Sequence, residues 1–207
     1  MVDAIIIQAR LSSSRFPGKV HARFKDSTLL GYLIDRLRNT GLPIIIAVPS
    51  SEQNLWQYFS ERHRFVEYFF GSHHDVAKRY IDAAESFGVQ NIVRVTGDNP
   101  CTSAVLVLRA LHKLKEGYEF VSNKWDEGAN VPKGFGSEAF TLDGLKRAYI
   151  ELTNPADREH ITELFLSKQF KISIDKDPFN SPNINLRDGF LSVDHEIQLK
   201  LLNELLK

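Results

Sequence analysis

The feature that most constrains this chain is an alternation of short β-branched runs with longer stretches of helical periodicity. Ile5, Ile6 and Ile7 are consecutive, so Ala4 to Ala9 is predicted as a strand buried on both faces. Leu29, Leu30, Leu33, Ile34 and Leu37 then fall on one face of a helix, which Gly41 and Pro43 close. The pattern continues with a strand over Ile44 to Val48, a helix over Leu55 to Phe59 and a strand over Val66 to Phe70. A helix over His74 to Phe87 closed by Gly88, a strand over Asn91 to Val95 and a helix over Ser103 to Leu114 follow. Such a rhythm predicts a three-layer α/β sandwich around a mostly parallel, mixed sheet.

Beyond Tyr118 the rhythm loosens. Strands are predicted over Tyr118 to Ser122, Ser137 to Thr141, Phe170 to Ile174 and Phe190 to Val193. Helices are predicted over Leu142 to Leu152, Arg158 to Ser167 and Glu196 to Leu206, with a Gly- and Pro-punctuated loop over Asn123 to Gly136. No linker or repeat interrupts the chain, so residues 1–207 are expected to form a single domain. The 26 basic side chains equal the 26 acidic ones, so no global positive field exists to hold nucleic acid. The one cysteine, Cys101, excludes an internal disulfide and a multi-cysteine metal site. The apolar run Ala4 to Ile7 is too short for a signal peptide or a membrane span, so a cytoplasmic protein without membrane partners is expected.

In open α/β sheets ligands bind beyond the carboxyl ends of the strands. Three predicted strand ends carry chemistry. After the first strand, Gln8 to Lys19 gathers Arg10, Arg15 and Lys19 with Ser12, Ser13, Ser14, Pro17 and Gly18. Three cations and small hydroxyl residues suit a phosphate, although a solvated basic turn has the same composition. The spacing is not that of a Walker A loop. After a later strand, Thr96-Gly97-Asp98-Asn99-Pro100 offers a carboxylate suited to a hard cation or to a simple turn. Asp194, after the last predicted strand, is either a second such ligand or the N-cap of the closing helix.

The run Gln8-Ala9-Arg10 through Ser13, Arg15 and Pro17-Gly18-Lys19 closely resembles the N-terminal signature of sugar-nucleotide cytidylyltransferases. The similarity is greatest to the spore-coat polysaccharide branch, related to CMP-KDO and CMP-acylneuraminate synthetases. Arg94-Val95-Thr96-Gly97-Asp98-Asn99-Pro100, Gly71-Ser72 with Asp75-Val76 and Arg79-Tyr80, Val193-Asp194, and Arg158-Glu159-His160 resemble further motifs of that family. The resemblance implies the nucleotide-diphospho-sugar transferase architecture, which is GT-A-like and Rossmann-like. It also implies transfer of CMP from CTP to an acidic sugar or sugar phosphate, with release of pyrophosphate. Arg10, Arg15, Lys19 and Asp98 would then carry catalysis. Gln8, Ala9, Ser13, Ser72, Asp75, Arg79, Thr96 and Gly97 would help seat the nucleotide. Asp98 and Asp194 would hold Mg²⁺, and Asn123, Glu138, Arg158, Glu159 and His160 would face the sugar. Asp75 and Ser72 read equally well as helix caps.

Some positions depart from the family pattern. Phe16 stands for Leu, Ser12 for Gly, Lys133 and Gly136 for two Asp, and His195-Glu196-Ile197 for Thr-Pro-Glu. An acid-to-base change at a pocket rim alters the charge an acceptor can carry, so a different sugar is expected. A transferase for another nucleotide and a non-catalytic nucleotide-binding relative share these motifs. A glycosyltransferase of similar fold would need a mid-chain Asp-x-Asp, which Asp98-Asn99-Pro100 does not supply. The 14 Phe suit either a homodimer interface or a larger core.

Overall fold

Residues 2–62, 65–151, 158, 161–166, 169–180 and 185–206 are described by the computed structural model. Strand β1 (Val2–Gln8) runs through the middle of the main sheet. A short hairpin, β2 (Arg23–Phe24) and β3 (Ser27–Thr28), leads into helix α1 (Leu29–Leu37). Strand β4 (Ile44–Pro49), helix α2 (Gln53–Arg62), strand β5 (Glu67–Gly71), helix α3 (Val76–Ser86), strand β6 (Val89–Thr96) and helix α4 (Ala104–Leu114) follow. The second half contributes β7 (Phe120–Ser122), β8 (Glu138–Thr141), α5 (Leu142–Ile150), α6 (Ile161–Leu166), β9 (Ile172–Ile174) and α7 (Glu196–Leu205).

Seven strands form one sheet in the order β5-β4-β1-β6-β8-β7-β9, and only β8 runs antiparallel to its neighbours. The consecutive isoleucines of β1 serve two layers because strand side chains alternate between faces. Ile5 and Ile7 pack with Leu33, Ile34, Trp56, Val107 and Leu111 from α1, α2 and α4. Ile6 points the other way, into a core with Tyr80, Leu145 and Phe165 from α3, α5 and α6. All three are fully buried, so Ala at any of them should cost about 2–5 kcal/mol.

Local signals place the helices as the sequence suggests. Thr28, Asp75, Ser103 and Thr141 cap α1, α3, α4 and α5, each accepting a backbone N–H three residues on. The three-layer, mostly parallel mixed sheet expected from the sequence is present. One predicted strand is not. Residues 190–193 form only an isolated bridge, Lys133 to Phe190. Leu191 N–H donates to Lys133 O at 2.7 Å, and Val193 N–H donates to Asp98 O at 2.9 Å. The segment is therefore tied to two loops rather than to a sheet strand. The β2–β3 hairpin lies where only a polar loop was expected. Among the described residues, no helix is long and apolar enough to cross a membrane.

Candidate active site

The chain passes from β1 outward to β4 and β5, and α3 then returns it to β6 on the far side of β1. The loops after β1 and β6 thus diverge at a topological switch point, where a crevice opens beyond the strand ends. A cavity of about 150 Å³ lies there. Gln8, Ala9, Arg10, Ser13, Arg15 and Lys19 line it from the first loop, and Thr96, Gly97 and Asp98 from the second. Gly97 is needed for the close approach of these loops. Its N–H donates to Gln8 O at 2.9 Å, and a Cβ there would stand 3.2 Å from Ala9 Cβ.

Positive groups dominate the wall. Arg79, from α3, is 1 % exposed and donates from Nη1 to Ser72 O at 2.5 Å, while its buried Nε finds no partner among the described residues. Burial lowers its pKa, and the nearby charge of Arg10 acts in the same direction. A buried guanidinium with an open donor beside a second guanidinium is a strong anion site.

The negative groups converge on one cation. Lys19 Nζ donates to Asp98 Oδ2 at 2.7 Å and to Val193 O at 3.0 Å, and lies 3.5 Å from Asp194 Oδ1. Arg15 Nη2 reaches the same Asp194 oxygen at 2.6 Å. Asp194 does not cap α7, because His195 occupies that position. Gln198 Oε1 accepts from the N–H groups of Asp194 and His195 at 2.6 and 2.8 Å, which fixes the approach of Asp194. Two carboxylates 96 positions apart in sequence therefore share a cation-binding point at the mouth of the cavity. Among the described residues no group of three metal-binding side chains occurs. Magnesium does not require one, since one or two carboxylates suffice when phosphate and water complete its shell.

Residues 4–180 match the family model for cytidylyltransferases. The chain belongs to the cytidylyltransferase family. It is 32% identical to an uncharacterized protein of Methanocaldococcus jannaschii over 98% of this chain and 82% of that one. It is also 32% identical to the spore coat polysaccharide biosynthesis protein SpsF of Bacillus subtilis, over 76% of this chain and 67% of SpsF. A solved cytidylyltransferase from Leptospira borgpetersenii superposes with a TM-score of 0.86 at 27% identity, covering 98% of this chain and 85% of that one. The protein is accordingly a nucleotidyltransferase.

A second cavity of about 170 Å³ adjoins the first in this cytidylyltransferase, and Thr96 and Asp98 belong to both walls. Lys124, Trp125, Asp126, Lys133 and Asp194 also line it. Lys133 Nζ lies 3.9 Å from Asp126 and 5.4 Å from the Trp125 ring centroid. Gly134, at φ +86°, brings its loop against Ser192 so closely that a Cβ would stand 2.8 Å from Ser192 N. At Gly136 a Cβ would stand 2.3 Å from Asn123 O, so this backbone admits no aspartate there.

Other sequence-derived candidates of this cytidylyltransferase do not line the first cavity. Ser72 Oγ accepts from Asp75 N–H at 3.0 Å, and Asp75 caps α3 while receiving Tyr149 Oη at 2.8 Å and Arg158 Nη1 at 3.2 Å. Asn123 is fully buried, donating to Leu106 O at 2.9 Å and accepting from Ser137 N–H at 2.8 Å. Glu138 is fully buried in β8, ion-paired with Arg94, accepting from Thr162 and 3.6 Å from Lys124. Burial alone would raise its pKa, but Lys124, Arg94 and these hydrogen bonds hold it at about 2. Glu127 nearby is pushed up by burial and by the charge of Glu138. Glu159 and His160 lie outside the described residues. One side chain the sequence did not flag, Glu52, reaches the first loop from the end of β4.

Proposed function

We propose that this enzyme transfers CMP from CTP to a sugar, using Mg²⁺, and releases pyrophosphate. The observation that carries this reading is the pair of adjoining cavities whose shared wall is Asp98, one lined by cations and the other by mixed polar groups. The triphosphate of a nucleotide suits the first, where Arg10, Arg15, Lys19 and Arg79 supply positive charge. The acceptor belongs in the second, where Lys124 and Lys133 suit an anionic group such as a carboxylate or a phosphate. The similarity to SpsF, a spore coat polysaccharide biosynthesis protein, supports a product used in a surface polysaccharide. Residues 1–207 act in this reading as one catalytic unit working in the cytoplasm, as a monomer or a homodimer.

An acceptor oxygen held in the second cavity, either a phosphate oxyanion or a hydroxyl that gives up its proton to solvent, attacks the α-phosphorus across Asp98. The bond from that phosphorus to the bridging oxygen breaks, and pyrophosphate departs with the bond's electrons. Positioning and charge neutralisation do most of the work in such a displacement. Asp98 and Asp194 would hold the magnesium ion, which would neutralise phosphate charge when bound. Lys19, which contacts both carboxylates, and Arg15, which contacts Asp194, would stabilise charge on the departing pyrophosphate. The reading is tested by incubating the enzyme with Mg²⁺, CTP and a panel of sugar acids and sugar phosphates while measuring pyrophosphate. Release that depends on one acceptor is expected. CTP binding without release across the panel would favour a non-catalytic nucleotide binder.

A further inference from the structure

Glu52 closes the turn Ser50–Glu52 beyond β4 and is 5 % exposed. Its Oε2 accepts from Leu11 N–H at 2.7 Å, and its Oε1 accepts from Ser12 N–H at 3.0 Å. Trp56 Nε1 adds a third hydrogen bond at 3.3 Å. Burial favours the neutral acid, yet these donors outweigh it and keep the carboxyl below its ordinary range. The group is therefore a carboxylate held inside the protein by two consecutive backbone N–H groups, the Ser12 hydroxyl and an indole.

The position of those two N–H groups gives the contact its meaning. Arg10 precedes them and Ser13, Ser14 and Arg15 follow, and all four line the cation-rich cavity. Leu11 and Ser12 do not line it, because their backbone is turned towards Glu52. A loop of this composition, without an anchor, would have to order its backbone each time it closed on an anion, at a cost in entropy. We infer that Glu52 is a positioning residue for nucleotide binding, which clamps the first loop from behind so that Arg10, Ser13 and Arg15 are already aimed at the phosphates. The inference rests on the reading of that cavity as the nucleotide site.

Glutamine at 52 preserves shape but offers only one acceptor oxygen, so one of the two N–H groups would face an N–H instead. The test measures the dissociation constant of CTP with Mg²⁺ by calorimetry, well below each melting temperature, for wild type, Glu52→Gln and Thr141→Ala. Glu52→Gln should weaken binding about 10- to 100-fold, the scale typical when a partner behind a direct ligand is removed. Thr141→Ala, which removes the α5 cap and lines neither cavity, should bind near the wild-type level. The KM for the acceptor should not move in either variant, whereas general destabilisation would not divide the two substrates. Wild-type affinity in folded Glu52→Gln would overturn the inference and leave the nucleotide reading standing. No nucleotide binding by wild type would overturn both. Should Glu52→Gln fail to fold, hydrogen exchange in the wild type decides the matter. Slow exchange at the Leu11 and Ser12 amides, against fast exchange at Ser13 and Ser14, is expected, and fast exchange at all four would overturn the clamp.

Discussion

Lys19 is 7 % exposed and holds two carboxylates that lie 96 positions apart in the chain. Arg15 is more exposed, and among the described residues its one ion pair is with Asp194. Arg15→Ala should therefore leave the fold intact and lower turnover by about 10²- to 10³-fold, as removal of a charge-stabilising donor does elsewhere. Steady-state kinetics alongside a melting curve would check it, and near-normal turnover would remove Arg15 from the mechanism. Glu138 makes a prediction of the opposite kind, on stability. Its carboxyl sits at about 2 in the fold and near 4.5 when free. A depressed pKa adds stability above the free value, which is lost as pH falls from about 4.5 towards 2. Glu138→Gln should flatten that acid limb in urea melts taken across pH. At pH 7 it should cost about 3–5 kcal/mol, because Arg94 is left buried without its counter-charge.

Among elements, α7 shows how a helix start can serve a distant site. Gln198 binds the backbone of Asp194 and His195, so the carboxylate of Asp194 depends on a cap one turn away. Gln198→Ala should lower stability by about 0.5–2 kcal/mol. It should also raise the Mg²⁺ concentration needed for half-maximal turnover more than it raises the KM for CTP. Equal changes in both would mean that the cap does not act through Asp194. This scale also separates what periodicity reveals from what it hides. The helix Leu29–Leu37 was legible because its apolar stripe has the helical period, although Gly41 and Pro43 pointed to a later end. The hairpin Arg23 to Thr28 was not, since two-residue strands carry no period, and its turn uses Lys25 at φ 55°. Residues 190–193 are mostly apolar, as a short strand would be, yet their backbone partners are loops chosen by tertiary contact.

For the whole molecule, the sheet was legible because the centres of β1 and β4 are buried on both faces and so read as continuous apolar runs. The strand-end rule then pointed to the loops after β1 and β6, which do meet in one cavity. Glu52 escaped notice because its role exists only through contacts 40 and 41 positions away. Asn123 and Glu138 are buried and bonded within the protein, a distinction no motif encodes. The central claim, a cytidine nucleotide and a magnesium ion at the β1–β6 crevice, is tested most directly by a thermal-shift titration. CTP, GTP, UTP and ATP would each be added with and without Mg²⁺. A ligand at a hundred times its dissociation constant stabilises the fold by about 2.7 kcal/mol. For a chain of this size that is a rise of roughly 5–10 °C. The account predicts such a rise with CTP and Mg²⁺ together, a smaller one with CTP alone, and loss of the Mg²⁺ increment in Asp98→Asn. A melting temperature that no nucleotide moves, or an equal shift in Asp98→Asn, would contradict it.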